Sequence, residues 1–373
     1  MILVFGVILA IYCILILAFS IGFAKTNHFN EVAPTPQTKF SIVIPFRDES
    51  ENLPELLQSL SLLNYPKELY EILFVDDDSD DDSVAIIKKN DCAQPDVQVL
   101  KNHRKSKSPK KDAIETAILQ SQFDWILTTD ADCIVPKDWL ISLDAFIQKE
   151  NSNMIAAPVS FISNNSLLAQ FQSLDFLALQ ATTIGAFGIG KPFLCNGANL
   201  CYKKSAFLAL NGFEGNEHIA SGDDVFLLEK MIASYPDKVK FLKSDKTIVL
   251  TKPETTLKQL ISQRIRWAAK STAYKNPFSK FVSSTVFGIN LILITLAIGG
   301  LFGYFSWQFF GYFFSLKLLV DFTLLFQIAS FSHQKRNLIH IAWVALVYPI
   351  FIIFIALKSF TVGYSWKGRV FKK

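Results

Sequence analysis

Apolar runs open and close this chain, and between them lies a block of about 250 residues in which short apolar segments alternate with polar ones. The first run, residues 2 to 24, carries no charge over 23 positions. As a helix it is long enough to cross about 30 Å of hydrocarbon. Its length and the lack of basic residues ahead of it predict a retained anchor rather than a cleaved signal peptide. Three more apolar stretches, 282 to 304, 307 to 330 and 338 to 360, are further candidate spans.

The middle block has a regular rhythm. FSIVIPF (40 to 46) reads as a strand and is followed by a helix in RDESENLPELLQSL with an acidic first turn. YEILFV (70 to 75) repeats the strand, an Asp-rich loop follows, and SVAIIKKN (83 to 90) is the next helix. VQVL (97 to 100) leads through a basic loop to the helix KDAIETAILQS (111 to 121), and WILTTDADC (125 to 133) ends in a second acidic turn. Strands alternating with helices at this spacing predict an α/β domain with a mostly parallel sheet, and such sheets bind ligands beyond the carboxyl ends of their strands. Both acidic clusters fall at such ends. Later, Leu257, Leu260, Ile261, Ile265 and Ala268 place the apolar residues of one stretch on a single helical face, as expected of a helix lying at a bilayer surface.

Composition agrees with a membrane protein: 50% of the 373 residues are hydrophobic, and the net charge is only +4. The five cysteines, at 13, 92, 133, 195 and 201, are odd in number and form no C-x-x-C pair. Reduced thiols in a cytosolic domain are expected, rather than a disulfide framework or a zinc site. Basic residues cluster at 101 to 111 and at 366 to 373; the second cluster suits a tail drawn to anionic lipid, and nucleic acid is not an expected partner.

Candidate chemistry sits on the rim of the sheet. Asp130 and Asp132, two residues apart where a strand becomes a loop, can approach one hard cation, Mg2+ or Mn2+, that shares its remaining positions with substrate phosphates and water. Six of the seven residues from Asp76 to Asp82 are carboxylates. Asp is a turn former, so part of this cluster reads as loop and helix-cap chemistry, Asp80 to Asp82 above all. If a nucleotide's phosphates lie at the metal, Asp77 is placed to accept the imide N–H of a uracil, with Asp76 in support, and Arg47 to stack on the base or reach phosphate. Lys110 and Lys111 open a helix, as phosphate contacts or as a solvated charge run. Asn196 and Gly197 begin a stretch of small residues suited to close passage by a ligand. Asp223 and Asp224 precede an amphipathic helix, either as caps or as a pair of which one removes a proton from an acceptor hydroxyl.

In chain order the blocks SIVIPFRDESENL, VDDDSDDDS, TTDAD, NGANLCY, GDDVFLL and QRIRW resemble a membrane-bound family 2 glycosyltransferase with a GT-A domain. That group includes cellulose, chitin and hyaluronan synthases and ceramide glucosyltransferases. The resemblance runs from about Phe40 to Trp267. It implies that Asp77 holds the uracil and that Pro45, Arg47 and Glu49 line the base and ribose pocket; Lys111, Asp130, Asn196 and Gly197 are the further candidate contacts to the donor. It implies metal at Asp130 and Asp132, a general base at Asp224, Arg266 near the pyrophosphate, and Gln263 and Trp267 at the acceptor. Asp78 stands where the family commonly has Gly, and Asp223 where it commonly has Glu, which leaves either carboxylate of the pair open as the base.

The implied reaction is inverting transfer from a UDP-sugar to a lipid-linked or membrane-proximal acceptor, forming a β-glycosidic bond. Processive polysaccharide synthesis is the alternative within the class; a non-catalytic nucleotide-binding membrane scaffold is the alternative outside it. The expected organisation is an anchor (1 to 25), a linker (26 to 38), the GT-A domain (39 to 255), an interface helix (256 to 280), a C-terminal transmembrane region (281 to 362) and a basic tail (363 to 373). Lys25 favours a cytoplasmic catalytic domain at the cell's inner membrane. Three terminal spans would then put the basic tail outside, against the positive-inside tendency; a cytosolic tail is expected. Lys317 and Asp321, one turn apart in the middle span, could pair within the membrane or mean that this stretch does not cross simply.

Overall fold

The computed structural model describes residues 1–31, 35–89, 96–217, 219, 221–271, 273–361, 363–366 and 369–371. Cys92, part of the linker and part of the basic tail therefore lie outside the described residues. In chain order the helices are α1 (Ile2–Lys25), α2 (Leu53–Ser61), α3 (Ser83–Lys89), α4 (Pro109–Gln120), α5 (Trp139–Lys149), α6 (Leu167–Gly188), α7 (Lys204–Ala209), α8 (Asp223–Ser234), α9 (Leu257–Ser271), α10 (Pro277–Leu301), α11 (Trp307–Phe331) and α12 (Ile341–Thr361). The strands are β1 (Phe40–Phe46), β2 (Tyr70–Asp76), β3 (Val97–Lys101), β4 (Trp125–Thr128), β5 (Cys133–Ile134), β6 (Met154–Ala156), β7 (Val159–Phe161), β8 (Leu200–Lys203), β9 (Val239–Phe241), β10 (Val249–Thr251), β11 (Tyr364–Trp366) and β12 (Arg369–Phe371). Two compact units result: a sheet unit, residues 27–162 with 194–252, and a helical unit, residues 1–26, 163–193 and 253–373.

The sheet unit is built on seven strands in the order β3-β2-β1-β4-β8-β6-β9. β1 pairs in parallel with β2 on one side and with β4 on the other. β2 and β3 extend one flank in parallel while β4 begins the other, so the strand order reverses beside β1 and opens a crevice at the carboxyl ends of these strands. β1 is almost wholly buried, which explains its continuous apolar run. β8 enters antiparallel between β4 and β6. The fourth strand is shorter than its sequence suggests: β4 ends at Thr128, and Cys133–Ile134 leaves to join β10 in a small three-stranded sheet, so that Asp130 and Asp132 fall in the turn between the two sheets.

In the helical unit, Ile2–Lys25, Pro277–Leu301, Trp307–Phe331 and Lys335–Thr361 are long and apolar enough to cross a membrane. Residues 163–193, expected within the GT-A domain, group with these helices instead. The reason is packing: α6 buries most of its length in this unit and meets α1 backbone to backbone. A Cβ on Gly185 would stand 2.4 Å from the Phe19 carbonyl oxygen, and one on Gly188 1.9 Å from that of Gly22. Small residues at such crossings allow the close approach on which membrane helices rely. The ammonium of Lys317 donates to Asp321 at 2.5 Å, and the Tyr12 hydroxyl donates to the other oxygen of the same carboxylate. α11 is a continuous helix through this ion pair.

Candidate active site

The nucleotide half of the expected site lies where β1 and β2 end. The Asp77 N–H donates to the Phe46 carbonyl at 3.0 Å, one residue past the strand, and this fixes the Asp-rich loop against the end of β1. The Asp77 carboxylate is buried and accepts bonds at 2.7 Å from Asn102 Nδ2 and from Arg104 Nε. Arg104 also donates to the Asp77 carbonyl and lies 3.1 Å from the Asp78 carboxylate. The guanidinium of Arg47 donates to the carbonyls of Asp77 and Asp78 and to the Asp80 carboxylate, lacing the two loops together.

Other acids here close turns. Asp76 accepts the Ser79 N–H, Asp48 that of Asp80, and Asp81 those of Ser50 and Ser83. Burial works to raise the pKa of Asp81, but the hydrogen bonds from Ser83 and Ser50 outweigh it and bring the group down to about 2. Asp78 sits at φ 58°, in the left-handed region that Asp tolerates better than most residues, where the resembling family commonly has Gly. Glu49 is buried and accepts from Asn52 Nδ2 at 2.7 Å, and Pro45 sits partly buried in the β1–β2 ladder opposite Val75.

A second cluster forms at the end of β4. The Thr128 hydroxyl donates to the Gly197 carbonyl at 2.7 Å, drawing the 196–199 turn against the acidic loop. Lys110, in the first turn of α4, donates to Asp130 at 2.5 Å and lies 3.5 Å from an Asp223 oxygen. A Cβ added to Gly197 would be 3.0 Å from Asp223 Oδ2, 3.6 Å from Lys110 Nζ and 3.7 Å from Asp224 Cβ. Lys110, Asp130, Gly197, Asp223 and Asp224 therefore adjoin. Asn196 shapes this turn by accepting the Ala198 N–H. Asp223 and Asp224 open α8 behind Gly222, at φ 88°, where the helix N-terminus favours anionic groups.

Charge explains why Lys110 is held here. Burial would lower its pKa, but the Asp130, Asp223 and Asp224 carboxylates outweigh that and raise it, so the ammonium stays charged. Burial, with Asp132 and Asp130 nearby, pushes the Cys133 thiol up, and this thiol lies 3.6 Å from an Asp132 oxygen. Among the described residues no disulfide is formed.

The donor contact expected of Lys111 is corrected by its surroundings. Lys111 is only 1% exposed, its ammonium donates to the carbonyls of Asn216 and Ile219, and it lies over the Phe226 and Phe213 rings. Neighbours on a helix point about 100° apart, so only one of the two lysines reaches the acids. It is Lys110, which the sequence left undecided between phosphate contact and solvated charge. Arg104 was missed altogether, although it stands in the basic loop that follows the third strand.

For a divalent cation the donor set is hard, with Asp130 and Asp132 presenting carboxylate oxygens from one turn. Among the described residues no group of three or more His, Cys, Asp or Glu side chains is arranged around a common point. Such a set fits a cation whose shell is completed by substrate and water. Gln263, Arg266 and Trp267 belong to α9, in the helical unit. There Leu260 and Ile265 are buried as the apolar spacing requires, and Leu257 is exposed.

Residues 6–372 match glycosyl transferase family 21, and the chain belongs to that family. It is 29% identical over 117 residues to the poly(ribitol-phosphate) beta-N-acetylglucosaminyltransferase TarS of Staphylococcus aureus, covering 31% of this chain and 20% of that protein. It is 27% identical over 110 residues to the beta-monoglucosyldiacylglycerol synthase of a Synechocystis species, covering 30% and 23%. The chain thus spans about a fifth of the length of these curated relatives. The solved mannosyltransferase PcManGT from Pyrobaculum calidifontis, in complex with GDP-Man and Mn2+, shares the fold with a TM-score of 0.52 at 15% identity, covering 95% of this chain and 99% of that one.

Proposed function

We propose that this chain is an inverting, metal-assisted glycosyltransferase that moves a sugar from a UDP-sugar to a lipid-linked or membrane-proximal acceptor, forming a β-glycosidic bond. The observation that carries this reading is the meeting of Lys110, Asp130, Asp223 and Asp224 around Gly197, at the carboxyl edge of a parallel sheet whose strand order reverses at β1. The names of the two relatives, one acting on a lipid and both forming beta linkages, support the acceptor class and the stereochemistry.

Asp77 accepts the base N–H, and Arg47, Arg104 and Asn102 hold the loop that presents it. Pro45, Glu49 and Asp76 shape the walls of that pocket. Asp130 and Asp132 would hold Mg2+ or Mn2+, which when bound offsets the charge of a diphosphate. Lys110 adds a fixed positive charge beside them, and Asn196 with Gly197, where a Cβ would press on Asp223, lets the 196–199 turn run close against the acids on the sugar side of the site. Asp224 removes the proton from the acceptor hydroxyl. That oxygen then bonds to the anomeric carbon as the bond to the diphosphate breaks, and UDP leaves with the electron pair. Asp223 has its carboxylate beside the Lys110 ammonium; the base role is given to Asp224 by the resemblance. General-base help is worth on the order of 10² to 10⁴ in rate. By the resemblance, Arg266 stabilises the leaving group, and Gln263 and Trp267 meet the acceptor.

The proposed setting is the cell's inner membrane with the sheet unit in the cytoplasm, supported by the four apolar helices and by Lys25 after the first. The test is an assay of the purified full chain against a panel of UDP-sugars with Mn2+ or Mg2+ and membrane lipids, reading product mass and released UDP. One sugar should yield a β-linked product, lost on chelation and regained with the metal. Tight UDP binding without turnover on any sugar would favour the scaffold reading instead.

A further inference from the structure

The Q-x-x-R-W pattern leaves its two middle positions open, and Arg264 fills the first of them. Its guanidinium is buried at 5% exposure. Nε donates to the Asp175 carboxylate of α6 at 2.7 Å, both partners being buried. Nη1 donates to Gln263 Oε1. Its Cζ lies over the Trp267 ring, 4.2 Å from the centroid, and the Phe176 ring is 6.3 Å from that indole between centroids. Gln263 in turn donates to Glu254 at 2.8 Å, and the backbone of Glu254 exchanges bonds with the side-chain amide of Gln172.

An arginine serving only as counter-ion to a buried aspartate would turn both arms of its fork to that carboxylate. Among the described residues Arg264 gives Asp175 a single hydrogen bond and Gln263 a second and sits over the Trp267 ring, while Nη2 is buried with no hydrogen-bond partner. We propose that Arg264, anchored by Asp175, is a positioning residue that sets the side chains of Gln263 and Trp267 for sugar transfer. The proposal rests on the transferase reading above and adds a residue that the motif does not specify. Lysine could keep the ion pair, but it has neither the second arm nor the planar face.

The test uses the full-length chain in detergent with lipid and two variants. Arg264→Lys keeps the charge; Arg264→Met combined with Asp175→Leu removes both charges, so that neither is left buried alone. Tryptophans are labelled with fluorine, and the Trp267 resonance is assigned by its loss in Trp267→Phe. In both variants the Trp267 resonance should move and kcat should fall by about 100-fold, the scale of a displacement near 1 Å in a reacting group, while the donor KM stays within about twofold. Parent-like kcat in either variant overturns the proposal, as does a fall in kcat with the Trp267 resonance in place. The fluorine readout needs no substrate, so a parent chain without transferase activity would defeat the functional reading while the Trp267 result still decides whether Arg264 holds that ring.

Discussion

The Lys110 ammonium stands 2.5 Å from the Asp130 carboxylate and 3.5 Å from that of Asp223, so one cation links the turn after β4 to the first residue of α8. Two segments nearly a hundred residues apart in sequence are thereby held at one place. The same ammonium keeps three like charges from dispersing that edge of the sheet.

Lys110→Met should therefore cut transfer by about 100-fold or more, the scale seen when a fixed charge-stabilising donor is removed. Lys111→Met should act differently. It leaves the carbonyls of Asn216 and Ile219 without their donor and should lower the melting temperature by several degrees. Turnover per folded molecule should hardly change. Initial rates and thermal unfolding on both variants separate the two roles, and equal loss of kcat in both would refute the distinction.

In the nucleotide pocket, Asp77→Asn should weaken UDP binding by roughly 10- to 100-fold, the worth of a hydrogen bond to a charged group. Arg104→Ala should weaken it less, because Asn102 still holds the Asp77 carboxylate. Titration calorimetry with UDP measures both. Wild-type affinity in Asp77→Asn would remove the base contact from this residue.

How far the sequence carried these assignments depended on the range of the interactions involved. The strands of the parallel flank, the helices between them and the candidate spans follow from local periodicity, and all were legible. The Lys317–Asp321 pair was legible for the same reason, since residues four apart on a helix are neighbours. What escaped depends on long-range packing. α6 carries no local signal of its partner until Gly185 and Gly188 are seen against α1. The choice between Lys110 and Lys111 turns on a rotation of about 100° about the α4 axis. Arg104 sat in a run of charges with nothing local to single it out. In the Asp-rich loop, Asp81 ties a turn as the turn-forming habit of Asp leads one to expect, Asp76, expected in support of Asp77, also closes a turn by accepting the Ser79 N–H, and Asp77 alone among the three is bonded to both Asn102 and Arg104.

The loop also has a pH signature. The Asp81 pKa is held near 2 in the fold, below the usual carboxylate value of 3.8. The unfolded chain thus binds more protons between these values, and stability rises with pH across that window. The increment is complete above about pH 4 and is lost as pH falls toward 2. Thermal unfolding from pH 2 to 5 should show a flatter dependence in Asp81→Asn than in the parent; parallel curves would show that the Ser50 and Ser83 bonds contribute nothing.

At the helix crossing, Gly185→Ala would put a methyl 2.4 Å from the Phe19 carbonyl oxygen. Backbone must move to admit it, at a cost of about 1–3 kcal/mol for overpacking. Gly6→Ala, whose Cβ meets nothing within 4 Å, is the control and should leave the melting temperature unchanged or slightly raised. Equal melting temperatures for the two would argue against a tight α1–α6 crossing.

The general-base assignment is tested by Asp224→Asn. This change keeps the size of the side chain at the second position of α8 and removes only its ability to take a proton. UDP binding by calorimetry should stay within about twofold of the parent, and transfer from the UDP-sugar should fall by about 10² to 10⁴. Product formed by Asp224→Asn at the parental rate would contradict the proposed chemistry.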